Sequence, residues 1–283
     1  MRALTLRPFG LPALALVALL ALGLTSLSSA QELPSSDPRV RAAQRYQTST
    51  WAKPGPGVSG WSPDAFKVQG WDRLRIKVDA RRAEARIDFA QKAELTPKTE
   101  LAAKPRVAAR LRIRRHATSD AARDHFLAHL AACTQTLERE EGLAEVAFGI
   151  RSGGRLVYLA GVRGDLSYEL RAEAKADLQP LAAALDAQLR QASKPREVAP
   201  APLASLSASK AQPATPGKPV AVDLEFKGAV RSLFFQTPEG VSVLRTKTGC
   251  LVYSERPGPV EFELVVVDKE LRTSRHTLGV TTR

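Results

Sequence analysis

His125, His129 and Cys133 stand four residues apart, so a helix carrying them would set all three along one side. Imidazole and thiolate at that spacing are the donor types of a zinc site, and hence of a metal-dependent enzyme. The sequence supplies no identifiable fourth ligand, and a buried cysteine with two flanking histidines is the plainer reading. A second chemistry is written in Arg110, Arg112 and Arg114, which a strand would project from one side about 7 Å apart, with Arg115 following. Such a ridge suits phosphate or sulfate, because guanidinium binds oxyanions bidentately. Its competitor is ion pairing with Glu84 and Asp88, which share a strand face with Arg86.

Other motifs carry less. Ser207-Ala208-Ser209-Lys210 and Lys247-Thr248-Gly249 mimic the signatures of penicillin-binding enzymes, but the serine sits in a Pro/Ala/Ser tract and no Ser-Asp-Asn element lies between them. The match is coincidental. Arg163-Gly164-Asp165 reads as a hairpin turn rather than an adhesion tripeptide. The chain contains no Gly-x-Ser-x-Gly, no His-Glu-x-x-His, no phosphate loop and no dinucleotide loop. The expectation is therefore a protein without enzymatic chemistry and without a cofactor.

The elements that must position these residues follow from periodicity. Met1–Ala30 reads as a secretory signal: Arg2 and Arg7, an apolar run from Leu11 to Leu24, then small residues. Residues 31–72 form an extended Pro/Gly-containing arm in which Trp51, Trp61 and Trp71 pin the loop onto a core. From 73 to 192 the pattern predicts an α+β domain of two three-strand-plus-helix units on an antiparallel sheet. Strands run through Leu74–Val78, Ile87–Phe89 and Val107–Ile113. A helix capped by Thr118 or Ser119 then runs past Cys133 to Gly142. Strands over Ala144–Ile150, Leu156–Val162 and Leu166–Ala172 follow, and a helix from Asp177 carries Leu178, Leu181, Ala182, Leu185 and Leu189 inward. Both helices are expected on one sheet face.

Residues 193–218 are a Pro/Ala/Ser linker, and 219–283 read as an all-β sandwich with turn signals at regular spacing. Gly249-Cys250-Leu251-Val252-Tyr253, Pro257-Gly258, the strand Val260–Val267 ending in Asp268, and Leu278-Gly279-Val280 carry a resemblance to bacterial immunoglobulin-like or cadherin-like modules over about 65 residues. That resemblance implies an adhesion or spacer role, not catalysis. The acidic clusters that bind calcium in true cadherins are not in this sequence, so calcium dependence does not carry over. The two cysteines, Cys133 and Cys250, are expected as free buried thiols, with a Cys133–Cys250 disulfide the alternative that export permits.

Net charge is +13, which favours association with anionic material without dictating fold. The sequence thus points to an exported, periplasmic or secreted binding or scaffolding protein of the cell envelope. It has no membrane span after the signal and no specific nucleic-acid partner. Its expected partners are anionic envelope polymers on the arginine face, or other envelope proteins. The alternatives are a metal-dependent enzyme built on His125, His129 and Cys133, and a protein–protein adaptor acting through the sandwich.

Overall fold

A computed structural model describes residues 37–92, 106–173, 175–193, 208–209, 218–226 and 229–282. The export signal at 1–30 and most of the 193–218 linker lie outside these residues. No helix among the described residues is long and apolar enough to cross a membrane. The chain is built mostly of antiparallel sheet with a few helices, an α+β arrangement followed by an all-β one.

The arm is not extended throughout. Helix α1 (Pro38–Arg45) opens it, with Asp37 accepting from the Arg39 amide at 2.8 Å and proline in the first turn. Asp37-Pro38 is a helix start that the lack of apolar periodicity hid. Beyond α1 the tryptophans do pin the chain down. Trp61 and Trp71 are buried in the main core with Val58 and Phe66, and Trp51 leans on Phe126 and Phe148.

One seven-stranded sheet follows, formed by β1 (Trp71–Asp79), β2 (Glu84–Gln91), β3 (Ala109–Arg115), β4 (Glu138–Arg139), β5 (Val146–Ser152), β6 (Arg155–Arg163) and β7 (Leu166–Ala172). Its order is β1-β2-β3-β7-β6-β5-β4, so β3 and β7 join the two halves at the centre. Helix α2 (Ser119–Ala132) is capped by Thr118, whose hydroxyl accepts from the Ala121 amide at 3.1 Å. Helix α3 (Gln179–Ala192) buries Leu181, Ala182, Leu185 and Leu189.

The helices do not share a face. α3 packs with Leu111, Ile113, Leu159 and Leu170, whereas α2 and α1 pack with Val146, Phe148, Tyr158, Ala160 and Val162 on the other side. The cause is legible in β5 and β6: both Ala147 and Val146, and both Leu159 and Ala160, are buried, so both faces of these strands need cover. α2 also stops ten residues short of Gly142. Cys133 is already extended, and the chain turns so that Glu138-Arg139 can pair with Gly149-Phe148.

The C-terminal part is a two-sheet sandwich. One sheet holds β10 (Val230–Gln236), β13 (Gly258–Asp268) and β14 (Thr273–Thr282). The other runs β11 (Val241–Arg245), β12 (Gly249–Ser254), β9 (Val220–Leu224) and β8 (Ala208–Ser209), the last a short edge pairing inside the 193–218 segment. Val222, Cys250 and Val252 face Phe262, Leu264 and Leu278 across its core.

The tip of the β13–β14 hairpin leaves that core. Val267 and Leu271, both fully buried, join the core of the seven-stranded sheet. Arg231 pairs with Asp64 at 3.2 Å, and the Gly60 amide donates to Glu270 at 3.1 Å. At the junction sits Arg115. Its Nη1 donates to the Val58 carbonyl and to Asp165, each at 2.6 Å, and its Nε donates to the Glu270 carbonyl at 2.7 Å. Asp165 also takes the Val58 amide at 2.7 Å.

Removing one partner of a buried pair strands the other charge. Asp165→Ala is therefore expected to lower stability by about 3–5 kcal/mol in urea titration. It should also speed hydrogen exchange of the Val58 amide and of the β13–β14 tip; unchanged exchange at both would refute this role.

Candidate functional site

The face of the sheet that carries α2 is divided. Over β5 and β6 it is apolar and covered; over β2, β3 and β7 it is a lattice of charge. Register sets the rows: Glu84, Arg114 and Ser167; then Arg86, Arg112 and Glu169; then Asp88, Arg110 and Arg171. Alternation puts Arg110, Arg112 and Arg114 on this one face, as the sequence predicts.

They are not a free ridge. Arg110 pairs with Asp88 at 3.0 Å and also with Glu173. Arg112 pairs with Glu84 at 3.2 Å and approaches Glu169 at 3.9 Å. Arg115, one residue out of phase, points through the opposite face and is buried at the domain junction. Arg114 is different from all three. Among the described residues it makes no hydrogen bond and no ion pair, and its Nε is buried without a partner. The other orphaned arginine nitrogens belong to side chains whose charge is already matched: Arg115 has Asp165, and Arg123 has Glu145 at 3.6 Å.

Arg114 lines a cavity of about 180 Å³ together with Arg112, Glu84, Ser167, His125 and His129. α2 supplies the two histidines along the edge that overhangs β7, and His116, on the chain leaving β3, is outside the lining but meets Ser167 and the His125 ring. The Ser167 hydroxyl lies 2.9 Å from His116 Nε2 and 3.2 Å from His125 Nδ1. One hydroxyl proton can serve one ring only, so at least one of the two imidazoles donates its N–H to the Ser167 oxygen. With its hydroxyl spent on both rings and 5% exposed, Ser167 holds the histidines in place.

Burial drives the titration of this cluster. His116 and His125 are lowered to about 4, first by desolvation, and then His116 by His125 and Arg114, and His125 by Arg114 and His129. Solvent reaches the outer edge of His125, so His116 carries more of the effect. Burial likewise lowers His129 and raises Glu84, the latter in spite of Arg112. At neutral pH the histidines carry no charge, and Arg114 is the one cation of the cavity that no carboxylate offsets at contact distance.

The predicted metal ligands do not converge. His125 is engaged by Ser167, His129 Nε2 lies 2.5 Å from Tyr158 Oη, and Cys133 has left the helix with its Sγ 3.9 Å from His129 Nε2. Among the described residues no three His, Cys, Asp or Glu side chains are placed to hold a metal ion. Cys133 and Cys250 are both free, and Cys250 lies in the sandwich core, where burial pushes its thiol up to about 11. The Arg163-Gly164-Asp165 turn is consumed internally: Arg163 pairs with Asp186 at 2.6 Å, the Gly164 amide donates to Glu145 at 2.9 Å, and Asp165 holds Arg115. Ser207 and Lys210 lie outside the described residues. In Lys247-Thr248-Gly249 the glycine is needed for packing, since a Cβ there would meet the Val222 carbonyl at 1.9 Å.

His116, Ser167 and Glu169 are the site residues that the sequence did not offer. Ser167 and Glu169 alternate with Leu166, Tyr168 and Leu170, so their common face was readable. Their adjacency to Arg114 and Arg112 was not, because it depends on the pairing of β7 with β3. Compared with family models, curated proteins and solved structures, the chain finds no match in any of the three.

A histidine whose folded pKa is depressed binds its proton more readily when unfolded. Stability should therefore rise with pH from about 4 to about 6.5 and level off above, since the unfolded chain holds the extra protons in that window. Thermal unfolding across pH is the measurement, and a His116→Asn, His125→Asn double variant should show a flatter rise between pH 5 and 6.5. Equal slopes in both proteins would contradict the burial of these rings.

Proposed function

We propose that the protein is an exported, non-enzymatic binding protein of the cell envelope that takes an anionic group into the cleft between α2 and strands β3 and β7. The observation that carries this reading is Arg114, whose Nε is buried without a partner in a cavity where the neighbouring rings are neutral. A buried donor left unmatched costs its full desolvation, so the site is poised for an acceptor that arrives from outside. Arg110 and Arg112 spend their charge on carboxylates, so the cleft suits one oxyanion group, a carboxylate, phosphate or sulfate, rather than a polyanion lying along a row. The imidazoles of His125 and His129, which line the cavity, supply further polar contacts. The sandwich reads as an immunoglobulin-like spacer held against the binding unit, in keeping with its two sheets of three and four strands. A second reading, docking of another envelope protein on the sandwich, is favoured by the exposed Leu244 and Tyr253 on β11 and β12.

Calorimetry and thermal shift with inorganic phosphate, sulfate and acetate at neutral pH test the anion site. At least one should bind and raise the melting temperature, and Arg114→Gln should abolish both effects while still unfolding cooperatively. Undiminished binding by Arg114→Gln, or no stabilisation by any of the three anions, would overturn the proposal.

A further inference from the structure

The anion cleft does not end at His129. That side chain also lines a second, open cavity of about 630 Å³ at the C-terminal end of α2, walled by Ala132, Leu137, Ile150, Val157 and Ala172. The cavity exists because α2 stops at Ala132. Beyond it Cys133 is extended and the chain goes on to pair β4 with β5. Its surface is more apolar than polar, with Cys133, Thr134, Gln135 and Arg171 as the polar part of the lining. Burial raises the Cys133 thiol, so it lines the wall as a weakly polar group and not as a thiolate. Where the two cavities meet, the His129 and Tyr158 rings lie nearly parallel, 20° apart in plane at 6.4 Å, with His129 Nε2 against Tyr158 Oη.

The strand geometry gives the span. Ser167, beside Arg114, and Arg171, beside the second cavity, stand four residues apart on β7, which is about 13 Å. A charged pocket of small volume and an apolar one of larger volume thus share one wall, a medium alkyl chain apart. Charge selects what enters at one end, and unfilled apolar surface selects it at the other.

We propose that the ligand of this protein is an anionic amphiphile, with its headgroup at Arg114 and its apolar part in the cavity beyond His129. This rests on the anion reading above and adds the class of ligand.

The test is a series of inorganic, methyl, butyl, hexyl and octyl phosphate, each titrated against the full chain. Affinity should rise by about fourfold for each methylene that reaches the second cavity, the increment expected for burying one CH₂. Arg114→Gln should weaken every member of the series. Ala132→Phe, at an exposed position on the helix end, should fill the cavity and erase the gain with chain length; Val157→Phe on the opposite wall gives the same readout should the first variant fold poorly. If no phosphate binds at all, the anion reading itself falls. If methyl phosphate binds and octyl phosphate binds no more tightly, the anion site stands and the amphiphile is wrong. A chain-length gain that survives both cavity-filling variants would place the tail elsewhere and would equally overturn the proposal.

Discussion

The register of β3 against β7 is the constraint on which both the architecture and the cleft depend. Arg114 and Arg115 are adjacent residues on a central strand, so they must point through opposite faces of the sheet. Pairing Arg114 with Ser167 and Arg115 with Leu166 puts the first guanidinium among the histidines and the second beside Asp165. A slip of one residue would exchange them and expose Leu111 and Ile113 on the charged face. Arg115 then has no substitute. It holds the arm at Val58, the β6–β7 turn at Asp165 and the sandwich hairpin at Glu270, three segments far apart in the chain.

That junction makes two cores behave as a joined structure. The hairpin tip is shaped for insertion: Asp268 accepts the amides of Glu270 and Arg272 at 2.8 Å each, and Leu271 takes a left-handed φ of 63° that turns its side chain into the neighbouring core. A leucine in that conformation is held against its own preference by surrounding contacts. Burial of Leu271 together with Val267 offsets the strain. The insertion is on the α3 face of the sheet, so the sandwich leaves the cleft on the α2 face open.

Much of this was legible in the sequence. Alternation located the strands, and periods of three and four located α2 and α3 with the correct buried residues. The failures have particular causes. Helices were expected on one face because the inward residues of each strand were read singly; the consecutive apolar residues of β5 and β6 already asked for cover on both. Cys133 was grouped with His129 by spacing, although Thr134 and Thr136, β-branched and non-helical in their preferences, follow at once. Arg115 was grouped with the ridge although its neighbour's parity forbids it. What no local pattern carries is which acid meets which arginine: Glu169 reaches Arg112 only through a strand pairing that spans the whole of α2, β5 and β6.

The electrostatics of the cleft follow from the same pairing. Glu84 stands opposite Arg114 on β2 but spends its carboxylate on Arg112, and on β7 the residue opposite Arg114 is Ser167, not a second acid. A carboxylate at that position would have closed the site by neutralising it. Serine instead spreads its hydroxyl over His116 and His125, which burial lowers, and leaves the guanidinium without a carboxylate on that side. In a partly desolvated cavity an unmatched cation attracts an anion more strongly than it would in water. Glu84, the nearest repulsive group in that row, is itself paired with Arg112, which offsets its opposition. Selectivity for an anion here therefore comes less from the number of arginines than from Arg114, whose buried Nε the surrounding residues leave unmatched.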